Sequence, residues 1–311
     1  FKFYDVYLSL ASKLNKKFDL DEQKEIVKKA LINLGDDYQK LLDKAYSENW
    51  MDVYPNNDKA SGGYCLSVYG LHPYVLLNNN DNYDSMSTMA HELGHAMHGY
   101  YSNKEQPIST ADHAIYIAEI ASTTNEVLLA KYMIKNAKTD EEKLFYLGHL
   151  IESFKGTVFR QTMFSEFEDY AFKEIEKGSI LTQEKLNNKY KSLLEKHFGG
   201  VVKIDDNIIN EWTRISHFFR PYYVYKYATS FISAVNIASK IEKGDKEAIE
   251  KYKTLLKSGG NDYPDKLLKK AGVDLEKDET YVVAFNVLKE ALNEVKQILK
   301  KQRENTKVIE K

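Results

Sequence analysis

Eight histidines occur in 311 residues, and three of them lie close together in "TMAHELGHAMHGYY", residues 88–101. His91, Glu92 and His95 stand in the order H-E-x-x-H. On a helix, side chains four residues apart lie one turn above each other on the same face. Two imidazoles so placed can bind one tetrahedral Zn2+ through nitrogen. A glutamate beside the first can activate a water at the metal's remaining position. At about 100° per residue, Leu93, Ala96, Met97 and Tyr100 form an apolar face, and His91, His95 and His98 cluster opposite it. His98 lies two turns from His91, about 10 Å along the axis. That is too far for one ion with bonds near about 2 Å, so His98 reads as a supporting or surface residue.

The third ligand must come from elsewhere. The extended H-E-x-x-H-x-x-G-x-x-H pattern fails, because His98 occupies the glycine position and Tyr101 the final histidine position. The next helical stretch, "ADHAIYIAEIASTTNEVLLAKYM" (111–133), carries Asp112, Glu119 and Glu126 along one stripe with Ser122 and Thr123 between them. A solvated helix face would look similar. Ile115, Ile117, Ile120, Val127 and Leu128 surround the stripe, however, which points it toward an internal cleft. Geometry leaves both Glu119 and Glu126 open as the third ligand. His113 reads as an outer supporting or surface residue.

Other segments could assist. In "SHFFRPYYVYKYATS" (216–230), His217 and the phenols of Tyr222, Tyr223, Tyr225 and Tyr227 could donate to an oxygen that gains charge. On a helix starting near Pro221, Tyr222 and Tyr225 share one side and Tyr223 and Tyr227 another. Aromatics at such spacing are commonly core, and at least two of the four are expected there. In "SGGYC" (61–65), Gly62 and Gly63 allow close backbone approach, and a strand edge through Tyr64 could take an extended peptide. A plain turn before a hairpin is the alternative. Cys65 is expected to be buried and unreactive. Glu166, Glu168 and Asp169, with Arg160, lie in "GTVFRQTMFSEFEDYAF" (156–172), which reads as a structural wall without catalytic residues.

The elements that must hold these groups are mostly helical. Apolar positions recur at three- and four-residue spacing over 21–47, 112–136, 140–177, 183–197, 222–243 and 281–303. Residues 61–84 break this pattern with Tyr, Val and Leu punctuated by Gly, Pro and Asn, which predicts two or three short strands. No linker or repeat divides the chain, and 43% hydrophobic content suffices for a large core. With 44 basic and 46 acidic residues, the charge balance does not suggest a nucleic-acid or membrane partner. A single cysteine fits a reducing compartment, and the opening Phe-Lys-Phe-Tyr shows no leader, so a cytoplasmic location is expected.

"MAHELGHAMHGYYS", followed by "IYIAEIASTTNEVLL", resembles the oligoendopeptidase F group of zinc metallopeptidases, relatives of thimet oligopeptidase. "FYDVYLSL" (3–10), "KASGGYC" through "HPYVLLN" (59–78), "FRQTMFSEFE" (159–168) and "SHFFRPYYVYKYATS" extend the resemblance along the chain. It implies a mainly α, gluzincin-type zinc-peptidase domain over 1–311, with a small β-sheet beside the zinc helix. It further implies Zn2+ on His91, His95 and Glu119, with Glu126 and Ser122 supporting. Glu92 would be general base, His217 and Tyr225 would contact substrate or oxyanion, and Tyr222 or Tyr223 would assist. Substrates would be short oligopeptides cut internally. The family's proteins are longer, and this chain resembles their C-terminal half, so an N-terminal lobe is an expected partner. Two other readings compete. One is a non-catalytic zinc-stabilised peptide-binding module. The other is a related zinc carboxypeptidase, for which Arg214 or Arg220 would meet a terminal carboxylate.

Overall fold

The computed structural model describes residues 1–8 and 14–309, with side chains through residue 304; the end of the 3–10 stretch falls outside. Helices dominate, as the periodicity predicts. Helix α1 (Leu20–Ala30) starts where the Asp19 carboxylate accepts the Glu22 N–H, satisfying a donor that the first turn leaves free. The predicted 21–47 helix is in fact two. Gly35, at φ +92°, turns the chain between α1 and α2 (Asp36–Ser47).

The strands are short. β1 (Met51–Asp52) pairs parallel with β3 (Tyr74–Leu76), and β3 pairs antiparallel with β2 (Tyr64–Leu66). The order β1-β3-β2 leaves β2 as an edge. β1 lies outside the stretch that alternation singled out, because two residues carry no readable period.

Helix α3 (Tyr83–Glu105) follows, capped by the Asn82 side chain on the Ser85 N–H. Leu93, Ala96 and Met97 are fully buried, as the helical wheel requires. Helix α4 (Ile115–Asn136) packs between α3 and α8 (Tyr225–Glu242), which explains why it is apolar on nearly every side. The predicted 140–177 helix is continuous but not uniform. α5 (Asp140–Ser153) passes into a π segment (Phe154–Phe159) and then into α6 (Arg160–Glu176). α7 (Gln183–Phe198) ends at Gly199 in the left-handed conformation. α9 (Lys246–Lys257) and α10 (Pro264–Lys270), which the period search did not single out, pack as a pair, and α9 also lies against α3. α11 (Asp278–Ile309) lies across α5 and α8.

Two apolar cores result. The larger joins α1–α5, α8–α11 and the sheet around residues such as Trp50, Met86, Met89, Leu129 and Val235. The smaller joins α6 and α7 to the chain's first residues and to the 202–224 region, around Phe3, Phe164, Phe167, Tyr190 and Val224.

Candidate metal centre and its cleft

The site begins with a backbone contact. A Cβ placed on Gly94 would lie 2.5 Å from Ser122 Cα and 2.6 Å from Ala121 O. Only glycine at this position lets α3 and α4 touch. Beside it, the Asn125 side chain on α4 donates to Ala90 O at 3.0 Å, and the Tyr38 hydroxyl donates to Asn125 Oδ1 at 3.1 Å. This close approach brings the two histidines against the α4 stripe.

His91 Nε2 and His95 Nε2 lie 3.2 Å apart, and Glu119 Oε2 lies 3.4 Å and 3.5 Å from them. Three donor atoms of these residues fall within 4.8 Å of one another. Ser122 Oγ donates to Glu119 Oε2 at 3.1 Å, and Glu126 Oε2 sits 3.1 Å from the other ring nitrogen of His91, Nδ1. The structure therefore separates the two acids that spacing left open: Glu119 faces both histidines, while Glu126 touches only the back of one.

Burial pushes the Glu119 carboxyl up, yet hydrogen bonds to His91 and His95 outweigh it and hold the group well below its usual range. Burial disfavours charge on His91, but Glu119 and Glu126 overcome it and raise its pKa to about 10. Converging imidazole nitrogens and one flanking carboxylate fit a zinc ion. Glu92, one residue on from His91, is only 5% exposed, and its Oε2 has no hydrogen-bond partner. Burial raises its pKa, opposed by the nearby histidines.

His98 is not at the surface. Its ring is 1% exposed and stacks on His113, 3.7 Å between centroids at 17°. Burial lowers the pKa of both, that of His113 to about 4, so both rings are neutral near pH 7.

The tyrosine segment resolves into two groups. The Tyr227 hydroxyl lies 3.4 Å from His217 Nε2, and the Tyr223 ring stands 5.5 Å and 5.6 Å from the His217 and Tyr227 rings. Burial, Tyr223 and the Glu119 charge all push the Tyr227 phenol up. Tyr225 lies apart, near Tyr116 and with Tyr281 and Phe285 in a separate hollow of about 490 Å³. The Tyr222 ring turns away onto Phe172. Sequence reasoning favoured Tyr225. The structure groups Tyr223 and Tyr227, four residues apart, with His217.

On the other wall, a Cβ on Gly63 would lie 2.8 Å from Thr88 Cγ2 and 3.2 Å from Glu92 Oε1. The Gly62–Tyr64 backbone thus runs directly past Glu92 and continues into the edge strand β2, with Tyr64 exposed. Cys65 is half-buried, its thiol raised to about 12 by burial and by the charge of Glu92. Arg214 binds Glu211, and Arg220 lies 5.8 Å from the Tyr223 ring centroid.

Comparison with known proteins bears on this geometry. The model of Peptidase family M3 matches residues 3–287. The chain belongs to that family. Oligopeptidase PepF of Bacillus subtilis is 40% identical over 97% of the chain, and group B oligopeptidase PepB of Streptococcus agalactiae is 40% identical over 96%. The chain covers 45% and 50% of those two proteins, about half the length of the M3 relatives it matches. Among solved structures, a chain from Chlamydophila abortus superposes with a TM-score of 0.88 at 38% identity, over 96% of this chain and 50% of that one. Oligoendopeptidase-F from Enterococcus faecium superposes with a TM-score of 0.74 at 32% identity, over 96% and 47%. The mainly helical M3 architecture with a small sheet is thus shared. Among the described residues, no helix is long and apolar enough to cross a membrane.

Proposed function

We propose that residues 1–311 form the catalytic domain of a zinc endopeptidase that cuts internal bonds of short, extended oligopeptides. The observation that carries this reading is the convergence of His91, His95 and Glu119 beside Glu92, which is buried and has an unpartnered oxygen. His91, His95 and Glu119 would hold Zn2+, which when bound supplies Lewis acidity toward a water and the scissile carbonyl.

The chain's own groups do the rest. Glu92 accepts a proton from the attacking water at Oε2 and returns it to the leaving amine. Tyr227 and His217, with Tyr223 beside them, donate to the carbonyl oxygen as its carbon becomes tetrahedral. Glu126 orients the His91 ring through Nδ1, and Ser122 fixes the Glu119 carboxylate. The Gly62–Tyr64 edge binds the peptide main chain, which favours extended substrates over any one side chain. An N-terminal lobe closing over the cleft, a cytoplasmic setting, and no nucleic-acid or membrane partner complete the proposal.

The test is incubation of zinc-loaded protein with a quenched peptide blocked at both ends. Internal cleavage is the expected result. Release of a C-terminal residue from unblocked peptide alone would make the protein a carboxypeptidase, and binding without turnover would make it a peptide-binding module.

A further inference from the structure

A strained tyrosine sits beside a buried acid. Arg220, Pro221, Tyr222 and Tyr223 form a four-residue turn closed by the Tyr223 N–H donating to Arg220 O at 3.2 Å. Proline fills the second position, and Tyr222 at the third has φ +52°. That is the pattern of a type II turn, whose third position ordinarily holds glycine because an L side chain crowds the backbone there. The N–H of that residue takes no part in closing the turn and needs another acceptor.

Glu168 on α6 provides it, with Oε1 accepting the Tyr222 N–H at 2.8 Å. The residue is 4% exposed, and its Oε2 has no hydrogen-bond partner. Phe172, one turn further along α6, stacks on the Tyr222 ring at 5.0 Å and 27°. One face of α6 therefore grips both the backbone and the side chain of the strained residue. A buried carboxylate with one oxygen unpaired and a left-handed tyrosine are both unfavourable in isolation. What they fix together is the turn between the candidate oxyanion donors. On one side the Arg220 N–H donates to His217 O at 2.9 Å. On the other the Lys226 N–H donates to Tyr223 O at 3.2 Å, as the chain enters α8 and reaches Tyr227.

We propose that Glu168 is a positioning residue for peptide hydrolysis: through the Tyr222 amide it sets the turn that presents His217, Tyr223 and Tyr227 to the substrate carbonyl. The proposal rests on reading those three as the oxyanion donors. In the zinc-loaded chain, Glu168→Leu lowers kcat on the doubly blocked peptide by about 10- to 100-fold, with KM and zinc content nearly unchanged. Glu168→Gln keeps an acceptor oxygen and rescues kcat to within about threefold of wild type. Exchange of the Tyr222 amide hydrogen quickens by at least about tenfold in the Leu variant and not in the Gln variant. Added to Tyr227→Phe, Glu168→Leu costs less than it does alone, because part of its effect runs through that donor.

Slow Tyr222 exchange in Glu168→Leu, a Gln variant as impaired as the Leu one, or fully additive losses would each overturn the positioning role. Wild-type kcat in Tyr227→Phe would instead remove the oxyanion reading, leaving the exchange result to stand on its own. If Glu168→Leu does not fold, Glu168→Asp, shorter by one methylene, carries the same comparison. Wild-type kcat together with slow Tyr222 exchange in that variant would likewise overturn the positioning role.

Discussion

At the candidate metal end of the cleft, His91, Glu92, His95 and Glu119 project from long helices packed into the larger core. Leu93, Ala96 and Met97 anchor α3, and Ile117, Ile120 and Leu128 anchor α4. At the tyrosine end, residues 208–224 run as short 3-10 turns and a strained turn, held by individual side chains. There the buried Glu211 carboxylate accepts from Arg160, Arg214, Tyr7 and Tyr190, and the Trp212 indole donates to Asn187 Oδ1 at 2.8 Å. The first wall is positioned by the packing of long helices, the second by polar bonds added to the smaller apolar core. The difference suits their tasks. A metal needs ligands already converged, and donors to a developing charge need a fixed turn, which here Glu168 and Phe172 hold.

Six substitutions, in four tests, sharpen or break this contrast, from largest effect to smallest. Glu119→Ala should abolish zinc retention, whereas Glu126→Ala should weaken it by about 10- to 100-fold, as losing an outer partner does. Metal analysis after dialysis reads the difference, and the reverse order would reassign the ligand. Glu92→Gln should keep zinc while losing about 10²- to 10⁴-fold in kcat. Full peptidase activity in that variant would end the general-base assignment. Tyr227→Phe should cost about 10²-fold in kcat with zinc unchanged, and Tyr225→Phe distinctly less. Equal losses would erase the division of the tyrosines into two groups. Gly94→Ala should destabilise the domain by about 1–3 kcal/mol through its clash with Ser122, seen as a lower melting temperature together with weaker zinc binding. An unchanged melting temperature would mean that the α3–α4 contact can open.

The same contrast explains what could be read from the chain. The α3 site was open to helical arithmetic because His91, Glu92 and His95 are local to one helix and their period survives folding. Glu119 needed the resemblance, since spacing says nothing about how two helices meet. Gly94 determines that meeting, yet it carries no chemical signature of its own. Tyr227 was harder still. Its partner His217 lies across a turn whose direction depends on a left-handed Tyr222 and a carboxylate from α6. No periodicity encodes a backbone N–H accepted from 54 residues away. The Leu31–Gly35 break within 21–47 was missed for a related reason: Gly35 reverses direction without interrupting the apolar pattern on either side.

The π segment at Phe154–Phe159 has a consequence for the whole cleft. A π turn takes up an extra residue, so side chains beyond it are rotated by about 100° from where an unbroken α-helix would put them. Before it, Tyr146, Leu147, Leu150 and Ile151 face the larger core; after it, Met163, Phe164 and Phe167 face the smaller one. A single rod thereby serves two interiors out of phase with each other, and the offset between them is stored in one turn. Removing one residue from that turn would spin α6 out of step with α5. Glu168 and Phe172 would then swing away from Tyr222 while the metal helices stayed where they are. The register of Glu168 and Phe172 against Tyr222 is therefore set by a count of residues in the helix that carries them.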